Sequence, residues 1–76
     1  MNKRKEPIKN NLREYRLKSG LTQKEVARII GVNNEERICH WEKGRNTPDA
    51  LNLIKVCKLY KVSQNQIYDI PKSFME

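Results

Sequence analysis

The sequence predicts an all-α protein, a compact bundle of five short helices. Apolar residues recur three and four positions apart, as in Val26, Ile29 and Ile30 or Leu53, Ile54, Val56, Cys57 and Tyr60. Glycine follows each of the first three periodic segments, at Gly20, Gly31 and Gly44, where it can take the left-handed conformation that closes a helix. Thr22, Thr47 and Ser63 stand ahead of later segments as N-caps. With 76 residues the chain makes one small domain, near the lower limit for a single unstapled core. The expected division is a flexible basic arm over 1–8, a folded unit over 9–70 and a tail over 71–76.

Met1 to Pro7 offers nothing apolar to bury after Met1 and is expected to be disordered in the free protein. Its Lys3-Arg4-Lys5 cluster suits a phosphate backbone or a minor groove; a solvated tail is the plainer reading. The first helix is expected from Lys9 or Asn10 to Ser19. Leu12, Tyr15 and Ser19 line one side, with Ile8 and Leu17 nearby, and Gly20 closes it. Arg13, Arg16 and Lys18 load its later turns with positive charge that complements the dipole.

The stretch from Thr22 to Glu42 organises the rest. Thr22 and Glu25 stand in capping-box spacing, and Val26, Ile29 and Ile30 define a buried face. Ala27 suits a close crossing by a second helix, because a larger side chain would hold the two apart. Gly31 ends this helix. Beyond the turn, Ile38 and Trp41 sit three apart and share a face with Val32. The flanking faces carry Asn34, Glu35, Glu36, Arg37 and His40. Helices 2 and 3 thus form a helix-turn-helix whose second helix presents polar side chains to a DNA groove. Glu35 and Glu36 favour the dipole but repel phosphate, so they point to cytosine N4 or to no DNA contact.

In the next loop, Thr47 is the expected cap of a helix whose first residue is Pro48, with Asp49 in its first turn. Lys43, Arg45 and Asn46 directly follow the reading helix and are placed to reach phosphates beside the groove. Ala50, Leu53, Ile54, Val56, Cys57 and Tyr60 give the fourth helix a broad apolar face, while Leu51 and Leu59 fall off it. Ser63 and Gln66 cap a short fifth helix that turns Ile67 and Tyr68 to the core, and Pro71 stops it. Ile70, Phe74 and Met75 form an apolar tail, either frayed or part of a dimer contact.

The matching residues resemble a lambda-repressor-like, Cro/XRE type DNA-binding domain. They are Arg16, Gly20 to Gln23, Val26-Ala27, Gly31-Val32, Ile38, Trp41 to Gly44, Pro48, Val56, Val62-Ser63 and Ile67. The likeness runs from about Asn11 to Tyr68 and rests on order and spacing together. One departure is that eight residues, 33 to 40, separate Val32 from Trp41, where the usual pattern has seven; an extra turn residue near Asn33 follows. The resemblance implies an ion pair between Arg16 and Glu42 that ties the first helix to the third. It also gives Gln23 a DNA-backbone contact that steadies the reading helix. The expected DNA-binding set is Thr22, Gln23, Asn33, Asn34, Glu35, Glu36, Arg37, His40, Lys43, Arg45 and Asn46.

The net charge is +7, and its distribution is uneven. Residues 1–20 hold seven Lys or Arg against two Glu, whereas residues 21–50 hold five of each sign. A basic chain suits a polyanion through counterion release, although a solubilising surface gives the same composition. Two cysteines and one histidine, with no signal peptide, predict a reduced cytoplasmic protein with no metal site or other cofactor. Cys39 and Cys57 read as packing residues. No run approaches a membrane span, and no catalytic constellation or small-molecule substrate site shows, so an enzyme is not expected.

The expected function is sequence-specific binding of double-stranded DNA by a small transcriptional regulator, a repressor, with a homodimer as a candidate form. The alternative is a protein-interaction module on the same scaffold, such as an antitoxin-like partner. The neutral motif and the acidic start of the reading helix support that alternative, whereas Gln23, Arg37, His40, Lys43 and Arg45 support DNA binding.

Overall fold

The computed structural model describes residues 7–69. Among them are five helices and no strand: α1 (Leu12–Lys18), α2 (Gln23–Ile30), α3 (Glu35–Lys43), α4 (Ala50–Tyr60) and α5 (Gln64–Ile67). The Lys3-Arg4-Lys5 cluster and the expectations for Ile70, Pro71, Phe74 and Met75 lie outside the described residues.

Local chemistry explains the boundaries. α2 opens with a full capping box: the Glu25 amide donates to Thr22 Oγ1 at 3.1 Å, and the Thr22 amide donates to Glu25 Oε1 at 2.8 Å. Gly31 closes it at φ 85°, and the Gly31 and Val32 amides both reach the Ala27 carbonyl at 2.9 Å. α3 opens on Asn34, whose Oδ1 accepts the Arg37 amide at 3.3 Å, and ends at Gly44 with φ 77°. A side chain at Gly44 would meet the Ile8 backbone, 2.6 Å from its nitrogen. That closeness allows the Ile8 amide to donate to the Gly44 carbonyl at 3.0 Å.

Two boundaries differ from expectation. α1 begins at Leu12 rather than at Lys9 or Asn10, because Asn10 is spent on holding the chain before the helix. Its Oδ1 accepts the Leu12 amide at 3.0 Å, while its Nδ2 donates to the carbonyls of Ile8 at 2.9 Å and Trp41 at 3.1 Å. α4 is capped by Asp49, whose Oδ1 accepts the Asn52 amide at 3.0 Å. Thr47 and Pro48 therefore lie ahead of the helix, and Pro48 is buried as a loop anchor. A carboxylate at the N-cap meets the same orphan amides that a threonine would, with added charge attraction.

The core consists of Leu12, Val26, Ala27, Ile30, Ile38, Trp41, Val56, Tyr60 and Ile67. Tyr15, Leu21, Val32, Leu53, Cys57, Leu59, Val62 and Tyr68 pack against it, half-buried. Several apolar residues expected inside are not. Ile29 is 53% exposed and Ile54 47% exposed; Ala50 is exposed as well. Each lies a fraction of a turn off the narrow stripe that a short helix can bury. Leu59, expected outside, is half-buried beside α2, whereas Leu51 is exposed as expected. α5 is held by Asn11: its amide donates to the Ile67 carbonyl at 2.9 Å and its Nδ2 to the Gln66 carbonyl at 2.8 Å. Ser63 donates its amide to Gln66 Oε1 at 2.9 Å, so the expected pairing at the start of α5 is formed.

Ala27 is 4% exposed and belongs to the core where α2 and α3 pack together. Ala27→Leu should therefore overpack this crossing and cost about 1–3 kcal/mol, read from the urea midpoint; an unchanged midpoint would contradict the close approach. A second prediction concerns pH. Burial pushes the Tyr60 phenol up to about 12, helped by the Glu42 carboxylate and opposed by Arg16. The folded state thus keeps Tyr60 neutral where the unfolded chain ionises it. The stability this gives is fully present below about pH 10 and is lost as pH rises toward about 12. Between pH 9 and 11, the wild type should lose about 1 kcal/mol more than Tyr60→Phe, which shares the titration of the lysines. Parallel losses in the two proteins would contradict this assignment.

Candidate nucleic-acid interface

The polar network at the start of α2 and the end of α3 sets the geometry of the interface. Glu42, near the end of α3, receives three donors. Arg16 Nε lies 2.6 Å from Oε2 and Arg16 Nη2 3.2 Å from Oε1, while Gln23 Nε2 donates to Oε1 at 3.0 Å. The remaining guanidinium arm, Arg16 Nη1, donates to the Leu21 carbonyl at 2.9 Å. The side chains of Arg16 and Glu42 are only 9% and 4% exposed. The hydrogen bond to Glu42 holds the Arg16 guanidinium above its ordinary pKa, against the opposing effect of burial. The implied ion pair is thus formed, and Gln23 joins it, which the sequence reading did not anticipate. A glutamine opening α2 is within reach of α3 because the two helices cross so closely.

With Ile38 and Trp41 turned into the core, the opposite side of α3 carries Glu36, His40 and Lys43 at spacings of four and three. Glu36 and Lys43 are exposed and His40 half-buried. Arg37 is exposed but leans to one flank, its guanidinium carbon 5.7 Å from the centroid of the Trp41 ring. The sequence places Asn34 with Glu35, Glu36, Arg37 and His40 on the faces that flank Ile38 and Trp41. In the structure Asn34 is the α3 cap, its side-chain oxygen occupied by the Arg37 amide. Its amide nitrogen remains as a donor.

The other expected residues take distinct places. Thr22 caps α2, with its oxygen accepting from Glu25. Asn33 is exposed in the turn and, with Lys24, Arg28, Asn34 and Glu35, borders a shallow groove at the start of α3. Glu35 and Glu36 occupy the first turn of α3, both exposed. Arg45 and Asn46 are exposed in the loop after it, and the Arg45 amide is held by the His40 carbonyl at 3.0 Å. The turn residues Gly31 to Asn34 give four positions between the two helices, and of the two asparagines only Asn34 has a side-chain bond among those described. Cys39 belongs to this region as well. It is half-buried on α3, next to His40.

Among the described residues, no group of three or more His, Cys, Asp or Glu side chains could hold a metal ion. No helix there is long and apolar enough to cross a membrane.

Residues 10–70 match the family described as a helix-turn-helix domain. The chain is similar to the HTH-type transcriptional regulator ImmR of Bacillus subtilis, with 36% identity over 56 residues that cover 74% of this chain and 43% of that protein. It is 30% identical over 61 residues to an uncharacterized HTH-type transcriptional regulator of Archaeoglobus fulgidus, covering 80% of this chain and 86% of the relative. A third relative, the uncharacterized HTH-type transcriptional regulator YgzD of B. subtilis, is 26% identical over 61 residues, at 80% and 91% coverage. The chain spans less than half of ImmR and most of the other two. By the extent of the family match and its likeness to the A. fulgidus protein, the chain belongs to the helix-turn-helix domain family.

Proposed function

We propose that the chain binds double-stranded DNA in a sequence-specific manner and acts as a small transcriptional regulator of the Cro/XRE kind, a repressor. The observation that carries this reading is the Glu42 network. It fixes α1, the start of α2 and α3 as one body, and leaves the outer side of α3 free of structural duties. In this reading α3 enters the major groove, with His40 and Arg37 at base edges and Glu36 facing a cytosine amino group. Lys43, Arg45 and Asn46 take the phosphates beside the groove, as do Thr22 and Gln23 at the positive end of α2. The N-terminal cations, seven Lys or Arg in residues 1–20, supply the salt-dependent attraction that the neutral motif lacks. Two copies bound to a two-fold symmetric operator complete the proposal.

The alternative, a protein-interaction module, draws support from Glu35 and Glu36, both exposed at the leading end of α3. They would repel phosphate, and a protein partner would not be disfavoured by them.

The two readings separate in a binding titration against a duplex selected from a random library and a scrambled duplex. Lys43→Ala should weaken both alike, because a phosphate contact positions without specifying. Arg37→Ala and His40→Ala should cost about 1–3 kcal/mol on the selected duplex while barely affecting the scrambled one. Equal losses on both duplexes would leave α3 a non-specific clamp, and failure to select any duplex would favour the protein-interaction module.

A further inference from the structure

An apolar groove lies between α2 and α4, and none of its lining residues comes from α3. Ile30 and Leu59 form its floor, Ile29 one bank, and Lys55 and Lys58 the other. Ile29 is 53% exposed. Along α4 the bank continues through Leu51 and Ile54, 61% and 47% exposed, at helical spacings from Lys55 and Lys58. These are three of the five large hydrophobic residues most exposed among the described residues, gathered on adjoining faces of two packed helices. Isolated exposed leucines are ordinary; a grouped apolar strip with a charged border marks a surface that binds something.

The charge of the border indicates the occupant. Both charged residues lining the groove are lysines, and no described carboxylate lines it. A second copy of this chain docking through the same face would bring together two groove borders of the same positive charge, which disfavours that contact. Nucleic acid fits poorly because most of the lining is apolar, and Lys55 already donates to the Ile30 carbonyl at 3.0 Å at the end of α2. Lys58 has no such bond among those described. An amphipathic helix with aliphatic anchors and flanking carboxylates satisfies both parts of the lining. We propose that this groove docks an acidic amphipathic helix of another protein, on a face separate from α3, so that DNA and partner are held together. The docking face is independent of the DNA-binding proposal and stands or falls separately.

The test uses the full chain, isotopically labelled for amide chemical-shift mapping, and three synthetic helical peptides of about four turns. One has a leucine stripe flanked by glutamates, one has the same stripe flanked by lysines, and one keeps the glutamates without the leucines. The first should bind saturably and shift Ile29, Leu51, Lys55, Lys58 and Leu59, with an affinity about tenfold or more above each of the others. Ile29→Ser should weaken it severalfold without affecting the fold, since Ile29 is largely exposed, and Lys58→Glu should reverse the preference between the two leucine peptides. The proposal is overturned by equal binding of the leucine peptides or by shifts confined to α3. It is overturned equally by concentration-dependent dimerisation that protects these residues, or by a duplex that shifts them while the acidic peptide does not.

Discussion

Three helices meet at one carboxylate. Glu42 collects the Arg16 guanidinium from α1 and the Gln23 amide from the first turn of α2 while belonging to α3. Both charged side chains are almost completely out of water, so their attraction is largely offset by the solvation each has given up. The value of such a pair lies in direction more than in net stability. An arginine fork fits a carboxylate in few orientations, and its third arm is pinned by the Leu21 carbonyl just ahead of α2. Rotating or sliding α3 would leave a buried charge without its partner, which is the costly outcome. Tyr60 senses the same environment, since its raised pKa follows first from burial and then from Glu42.

This constraint matters for the proposed role of α3, because a helix can only discriminate bases if its pose is fixed. The apolar contacts of Ile38, Trp41 and Ala27 set how closely α3 approaches α2. They are non-directional, and alone they would tolerate rotation. The polar network supplies the missing direction, and the two glycine turns supply the paths into and out of α3. Gly44 has a second duty: its lack of a side chain lets the extended segment at Ile8 lie against the end of α3. The chain preceding α1 is thereby delivered beside Lys43, where the proposed phosphate contacts lie.

Much of this was legible in the sequence because short helices advertise their ends. Thr22 with Glu25, Gly31, Gly44 and Ser63 with Gln66 all stand where their chemistry places them. The face assignments were less secure. Ile29, Ile54 and Ala50 share helical spacing with core residues, yet a bundle this small buries only a narrow stripe, and spacing alone does not say where that stripe ends. Thr47-Pro48 imitates a helix start, but Asp49 competes with it as a cap and wins through its charge. The Arg16–Glu42 pair came from family resemblance; nothing in the spacing of two residues on separate helices reveals a contact across 26 positions. Gln23's part in it depends on a crossing angle that one sequence does not encode locally, whereas the lean of Arg37 onto Trp41 follows from their spacing of four on one helix.

The Arg16–Glu42 pair fixes α3 while contributing little net stability. A double-mutant cycle of Arg16→Met and Glu42→Gln, measured by urea unfolding, tests it most directly. Each single substitution should cost about 3–5 kcal/mol by stranding a buried partner, and the double should recover much of that loss. If the two losses simply add, the two side chains are not coupled and the pair does not hold the helices in register.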